Sequence, residues 1–175
     1  MSEPSVHIRR AVPDDAGALI VYVKELCRPD DLDLPMEPDE FTYTVEEERK
    51  FLEEALVSVN WAYFVAESDG RIVGMCNAGG GKRRATRHAV TLGVTVHRDY
   101  RDRGVGTALV RALIDWARAG GVVKRIELQA YARNARAIHV YEKLGFVHEG
   151  RRRNAARDRR TGELIDDLVM ALLLE

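Results

Sequence analysis

The chain has 175 residues, 46% hydrophobic and 31% charged, which fits one globular domain over 1–175 with its own core. Lys and Arg number 27 against 28 Asp and Glu, a net charge of -1, and that balance argues against a dedicated nucleic-acid partner. No apolar run approaches the ~20 residues of a membrane helix, and Met1 to Arg10 lacks the apolar core of a secretory signal. Cys27 and Cys76 stand too far apart for a clustered metal site or a disulfide framework. A cytoplasmic protein with no metal and no membrane partner is the expectation.

Val6 to Arg10 alternates apolar and polar residues and reads as a first strand. Pro13-Asp14-Asp15 opens a helix that runs to about Cys27. Pro29 to Pro38 is an acidic, proline-rich loop, and Asp30, Asp31, Asp33, Glu37, Asp39 and Glu40 crowd this region. Phe51, Leu52, Ala55 and Leu56 give Thr44 to Val57 a helical spacing. The period then shortens to that of strands. Trp61 to Glu67 and Arg71 to Asn77 flank the turn Ser68-Asp69-Gly70, and Gly79-Gly80-Gly81 interrupts the second of them. Ala89 to His97 is a further strand, with Gly93 inside it as the mark of a bulge or a close approach.

A strong amphipathic helix follows, with Val105, Leu109, Ala112, Leu113 and Trp116 on one stripe and a stop at Gly120-Gly121. Lys124 to Tyr131 is a strand, Asn134 caps a short helix, and Gly145 ends it before Phe146 opens the next strand. Arg151 to Arg157 and Leu164 to Leu174 form a closing hairpin about Thr161-Gly162. The order β-α-α-β-β-β-α-β-α-β-β describes a mixed α/β domain with a meander, a βαβ segment and a hairpin.

The most informative stretch runs from Val94 to Thr107, where a strand ends, a short turn follows and a helix begins on glycines. Free N–H groups and the positive end of the helix dipole make such a start a pyrophosphate site. A dinucleotide fingerprint needs a third glycine where Leu109 stands. A P-loop needs glycine where Cys76 stands and Ser or Thr where Arg83 stands. Both fail. What matches is [QR]-x-x-G-x-[GA], written here Arg101-Asp102-Arg103-Gly104-Val105-Gly106. Downstream, Asn134 to Phe146 reads N-x-x-A-x-x-x-Y-x-x-x-G-F. In this order and separation the two runs resemble the signatures of the GNAT superfamily of N-acetyltransferases. The resemblance covers Ala89 to the end of the chain, and the first half agrees in its pattern of elements.

The resemblance implies a central mixed sheet of about seven strands flanked by helices, and acetyl-CoA as cosubstrate. Val94, Thr95 and Val96 match the strand that pairs with the pantetheine arm. Arg101, Asp102, Arg103, Gly104, Val105, Gly106 and Thr107 match the pyrophosphate loop. Asn134 matches a cofactor contact, and Tyr141 the hydroxyl near the thioester sulfur. In the family two strands splay at a bulge that Gly93 would mark. Glu127 is the candidate base, since some members carry a glutamate at the matching place. The implied reaction is direct attack of a primary amine on the thioester, with Tyr141 protonating the leaving thiolate. A small-molecule acceptor is favoured over a protein N-terminus or lysine, because no peptide-binding track stands out. Dimerisation is common in the family, so a homodimer is expected without a visible interface. A non-catalytic acyl-CoA sensor is the reading from another class, and the intact Tyr141 argues against it.

Overall fold

The computed structural model describes residues 5–27, 36–37, 39–159 and 161–175. The elements are β1 (His7–Arg10), a 3-10 turn (Pro13–Asp15), α1 (Ala16–Cys27), α2 (Val45–Val57), β2 (Trp61–Ser68), β3 (Arg71–Gly80), β4 (Ala89–Val96), α3 (Val105–Gly120), β5 (Arg125–Tyr131), α4 (Ala135–Lys143), β6 (Val147–Arg157) and β7 (Leu164–Leu173). This is the expected order. Asp30, Asp31 and Asp33 of the acidic loop lie outside the described residues.

One seven-stranded sheet runs β1-β2-β3-β4-β5-β7-β6, antiparallel except for the β4–β5 pair. Residues that face each other across strands share a side of the sheet. Ala62, Phe64, Cys76, Val90, Leu92, Ile126 and Leu128 therefore share one side, and α3 packs there through Leu109, Val110 and Leu113 in the main core. Tyr63, Val65 and Met75 share the other, under α1 and α2, with Leu19, Tyr22, Leu26 and Leu52. The helix periods in the sequence follow from this two-sided burial. α2 starts in a capping box, with Thr44 Oγ1 accepting from the Glu47 N–H at 3.2 Å and the Glu47 carboxylate accepting from the Thr44 N–H at 2.8 Å.

Three sequence expectations change. β3 continues through Gly79 and Gly80, which pair with Thr91 and Val90, so those glycines lie inside the strand. Gly93 marks no bulge, because the β3–β4 register holds without a shift from Gly74↔Val96 to Gly80↔Val90. It marks a close approach instead: a Cβ there would lie 3.0 Å from Asn77 Oδ1. Phe146 stands just outside β6, which runs unbroken through Gly150 and absorbs irregularity as register shifts against β7.

Candidate active site

β4 and β5 pair over only three positions, Ala89↔Arg125, Val90↔Ile126 and Thr91↔Glu127. β5 pairs with β7 along its other edge from Arg125 to Tyr131, and beyond Thr91 β4 has a partner on one side alone. The His97 N–H donates to the Val73 carbonyl at 2.8 Å, which sets the alternation along β4. Thr95 and Gly93 spend their backbone groups on β3, while those of Val94 and Val96 point into the gap. Of the three residues assigned to the pantetheine strand, two thus offer backbone hydrogen bonds. Thr95 offers its side chain to the other side, where its Oγ1 lies 3.1 Å from the Tyr22 hydroxyl.

A groove of about 230 Å³ opens at this gap. Val94, Thr95 and Val96 form one wall. Arg101, Asp102, Gly104, Val105, Gly106 and Thr107 form the end. Asn134, Arg136, Ala137, Val140 and Tyr141 of the α4 segment form the opposite wall. The pyrophosphate set and the Asn134–Tyr141 run thus meet across one cleft.

Gly104 caps α3 with φ +76°, a left-handed conformation that favours glycine, and no side chain caps the helix. The first-turn N–H groups of α3 face the groove with no acid among them. Asp102, also at positive φ, is matched by Arg136 at 3.1 Å. Arg101 Nε donates to the Val96 carbonyl at 3.2 Å and so ties the loop to the strand. Arg103 does not line the groove; its guanidinium lies over the Tyr100 ring at 5.5 Å. Asn134 accepts from the Ala137 N–H at 3.1 Å, which caps α4 and leaves its amide nitrogen for a ligand.

Tyr141 is 8% exposed, beside Phe146 and near Cys76, and burial pushes its phenol up to about 12. Glu127 stands apart from the groove lining. It is held by Arg125 at 3.1 Å and by Thr91 at 3.4 Å, and Arg125 also grips Glu149. The basic segment Lys82 to Arg87 lies before β4, at the opposite end of that strand from the Arg101 loop.

Sequence reasoning missed Tyr100, Arg136 and Val140 as groove residues and Tyr22 as the support behind Thr95. Arg136 and Val140 sit inside the Asn134–Phe146 run and were legible there. Tyr22, 73 residues from Thr95, carried no signal.

Residues 30–146 match the family model described as the acetyltransferase (GNAT) family, so the chain belongs to that family. It is 37% identical over 107 residues to the L-amino acid N-acetyltransferase AaaT of Escherichia coli K12, covering 61% of this chain and 65% of that protein. It is 34% identical over 98 residues to the L-amino acid N-acyltransferase MnaT of the same organism, covering 54% of this chain and 55% of that protein. The match spans less than two thirds of either relative's own length. Among solved structures, an acetyltransferase of the GNAT family from Streptococcus pneumoniae is 31% identical, with a TM-score of 0.92 over 97% of this chain and 100% of that one. yncA of Salmonella typhimurium, solved with acetyl-CoA, shares the fold at 22% identity and a TM-score of 0.81, over 97% and 94% of the two chains.

Proposed function

We propose that this chain moves the acetyl group of acetyl-CoA onto a primary amine of a small molecule, by direct attack of the amine on the thioester. The observation that carries the reading is the parting of β4 and β5 after Thr91 and Glu127, beside the uncapped start of α3 and the Tyr141 phenol. A pyrophosphate suits the N–H groups of the first turn of α3. The amides of a pantetheine arm extend the sheet on the free backbone groups of Val94. The Val96 N–H then stabilises the oxyanion that forms on the carbonyl.

Tyr141 stays protonated through the neutral range because its surroundings disfavour the phenolate. The same apolar surroundings raise the proton affinity of a thiolate leaving beside it, so the proton passes as the C–S bond breaks. Relatives named for L-amino acids support a small amine as acceptor. Calorimetric titration with acetyl-CoA, joined to free-thiol release across amino acids, polyamines, aminoglycosides and short peptides, tests the reading. Turnover on one class supports it and names the acceptor. Tight binding with no turnover on any amine turns it toward an acyl-CoA sensor, and no binding defeats it.

A further inference from the structure

Glu48 is a carboxylate in a place built for an apolar side chain. With Phe51, Leu52 and Ala55 it forms the inward stripe of α2, three, four and seven positions along. It is 7% exposed, and Leu52 and Ala55 on the same stripe are 0% and 1% exposed. Burial pushes its carboxyl above the usual range. Among the described residues no hydrogen bond or ion pair holds the side chain. An acid on this inward stripe, unpartnered but with its oxygens still reached by solvent, contradicts the helix pattern around it, and such conflicts collect at functional sites.

The direction of α2 says what Glu48 faces. The Ala55 carbonyl accepts from Arg10 of β1 at 2.9 Å. One turn earlier, Phe51 meets the Trp61 ring of β2 edge-on at 4.1 Å. A helical turn advances about 5.4 Å, roughly one strand spacing. The next turn back brings Glu48 over β2 beside the Tyr63 phenol, with which it interacts electrostatically. The row beneath is Tyr63, Asn77 and Gly93, which ends one pairing step beyond Thr91, where β4 leaves β5. Gly93 has no side chain to close this row.

The groups around Glu48 leave it the proton acceptor of this side. The Tyr63 phenol of β2 faces it and is itself held protonated by burial, donating to Met75 Sδ at 3.0 Å. Tyr22 of α1 is bonded to Thr95, Glu25 of α1 to Arg71, and Lys24 and Cys27 complete the ionisable groups of that helix. Asp14 and Asp15 of the 3-10 turn are bound by Arg49 and Arg9, and Glu67 of β2 by Arg9.

We propose that Glu48, rather than the ion-paired Glu127, takes the proton that the acceptor ammonium must lose. The inference rests on the acetyltransferase reading above. In the step, the ammonium gives one proton to the Glu48 carboxylate, and the freed lone pair forms the N–C bond while the carbonyl pair moves to oxygen. Collapse breaks the C–S bond and the thiolate takes the Tyr141 proton. The second amine proton returns through solvent to Tyr141, and Glu48 releases its proton to solvent. The products are an amide, a thiol and one proton.

The test is kcat/KM against pH for the wild type, Glu48→Gln, Glu48→Asp and Glu127→Gln on the best amine of the panel, with acetyl-CoA affinity by calorimetry and the melting temperature of each. For Glu48→Gln we expect a loss of about 100-fold or more at pH 7. That deficit shrinks as pH rises toward the amine's own pKa, because the amine then arrives unprotonated. Glu48→Asp recovers part of the rate, and acetyl-CoA affinity and melting temperature do not fall in either Glu48 variant. A Glu48→Gln rate equal to wild type overturns the inference. So does an equal loss at every pH with a lowered melting temperature, or a pH-dependent deficit that belongs to Glu127→Gln alone. A wild type that binds no acetyl-CoA defeats the transferase reading itself, and calorimetry separates that failure from the others.

Discussion

The hydroxyls of Tyr22 and Thr95 lie 3.1 Å apart and join α1 to β4 through the far side of the sheet from the groove. Behind Val94 and Val96, the strand edge is thus braced by a helix on one side while its other edge is left open. Tyr22 is 2% exposed, Tyr63 4% and Tyr141 8%, so three phenols are buried around one strand pair.

Those phenols give the protein an alkaline limit. Burial raises all three above the ordinary tyrosine value of 10.0, with Tyr141 reaching about 12. In the unfolded chain they ionise near pH 10, so above that pH the native state holds more protons. The stability they contribute is complete below pH 10 and is lost as pH rises through the folded values. For Tyr141 alone the loss is on the order of 2 kcal/mol by pH 12. Urea melts from pH 8 to 12 should show a falling stability whose slope is shallower in Tyr141→Phe. The same variant should lose about 100-fold in kcat with acetyl-CoA affinity within about twofold.

Gly104 and Gly106 stand two residues apart and should respond oppositely. Gly104→Ala meets no neighbour within 4 Å but must hold φ +76°, which costs about 1–2 kcal/mol. Its melting temperature should fall and its acetyl-CoA dissociation constant rise at least about tenfold. Gly106→Ala places a Cβ 3.6 Å from Val96 Cγ2, an ordinary contact, and adds helix propensity of about 1 kcal/mol. Its melting temperature should hold or rise, with affinity within about threefold. Calorimetry and thermal melts on both variants check the contrast.

Asp15 should set an acid-sensitive term. Arg9 holds both its oxygens, at 2.7 and 2.8 Å, and the Val12 N–H donates to it at 2.8 Å. The Arg9 guanidinium, bonded to both oxygens, keeps its carboxyl below the ordinary 3.8. A depressed value means the stabilisation is present above that ordinary value and lost as pH falls through the folded one. Asp15→Asn should cost about 1–2 kcal/mol at pH 7. The difference from wild type should close as pH falls below the ordinary 3.8 and through the depressed folded value, in urea melts followed across pH.

Arg159, in the β6–β7 turn, donates to the Cys27 carbonyl at 2.8 Å and to that of Met36, and pairs with Glu37 at 3.2 Å. It ties the hairpin tip to the end of α1, on the side of the sheet away from α3. Arg159→Ala should raise KM for the amine several-fold, roughly 1 kcal/mol of positioning, while the acetyl-CoA dissociation constant stays near wild type. Steady-state kinetics with each substrate varied in turn separates the two.

The groove's end and one of its walls were readable in the sequence, since each is a local device: a helix opening on Gly104 and a helix capped by Asn134. The periods of α3 and β5, and the order of elements, were readable for the same reason. Near-neighbour hydrogen bonding and repeating apolar positions are written in consecutive residues. Glu48 was not read as a site residue. Its signal was present, an acid on the stripe of Phe51, Leu52 and Ala55, but the neighbouring Glu46 and Glu47 made it look like one more solvated charge.

The sequence by itself therefore determined the strand–turn–helix that starts at Val94, the capped helix that carries Tyr141, and the family to which both point. Only the tertiary structure decided that β4 pairs with β5 for three positions and then parts from it. The same packing set Glu127 against Arg125, turned Val94 and Val96 rather than Thr95 toward the gap, and buried Glu48 beside Tyr63. These depend on which strands lie side by side and where α2 crosses them. Thr91 and Glu127 are 36 residues apart, and Tyr22 and Thr95 73, so no local period records their meeting. It is settled by the burial of both sides of the sheet at once.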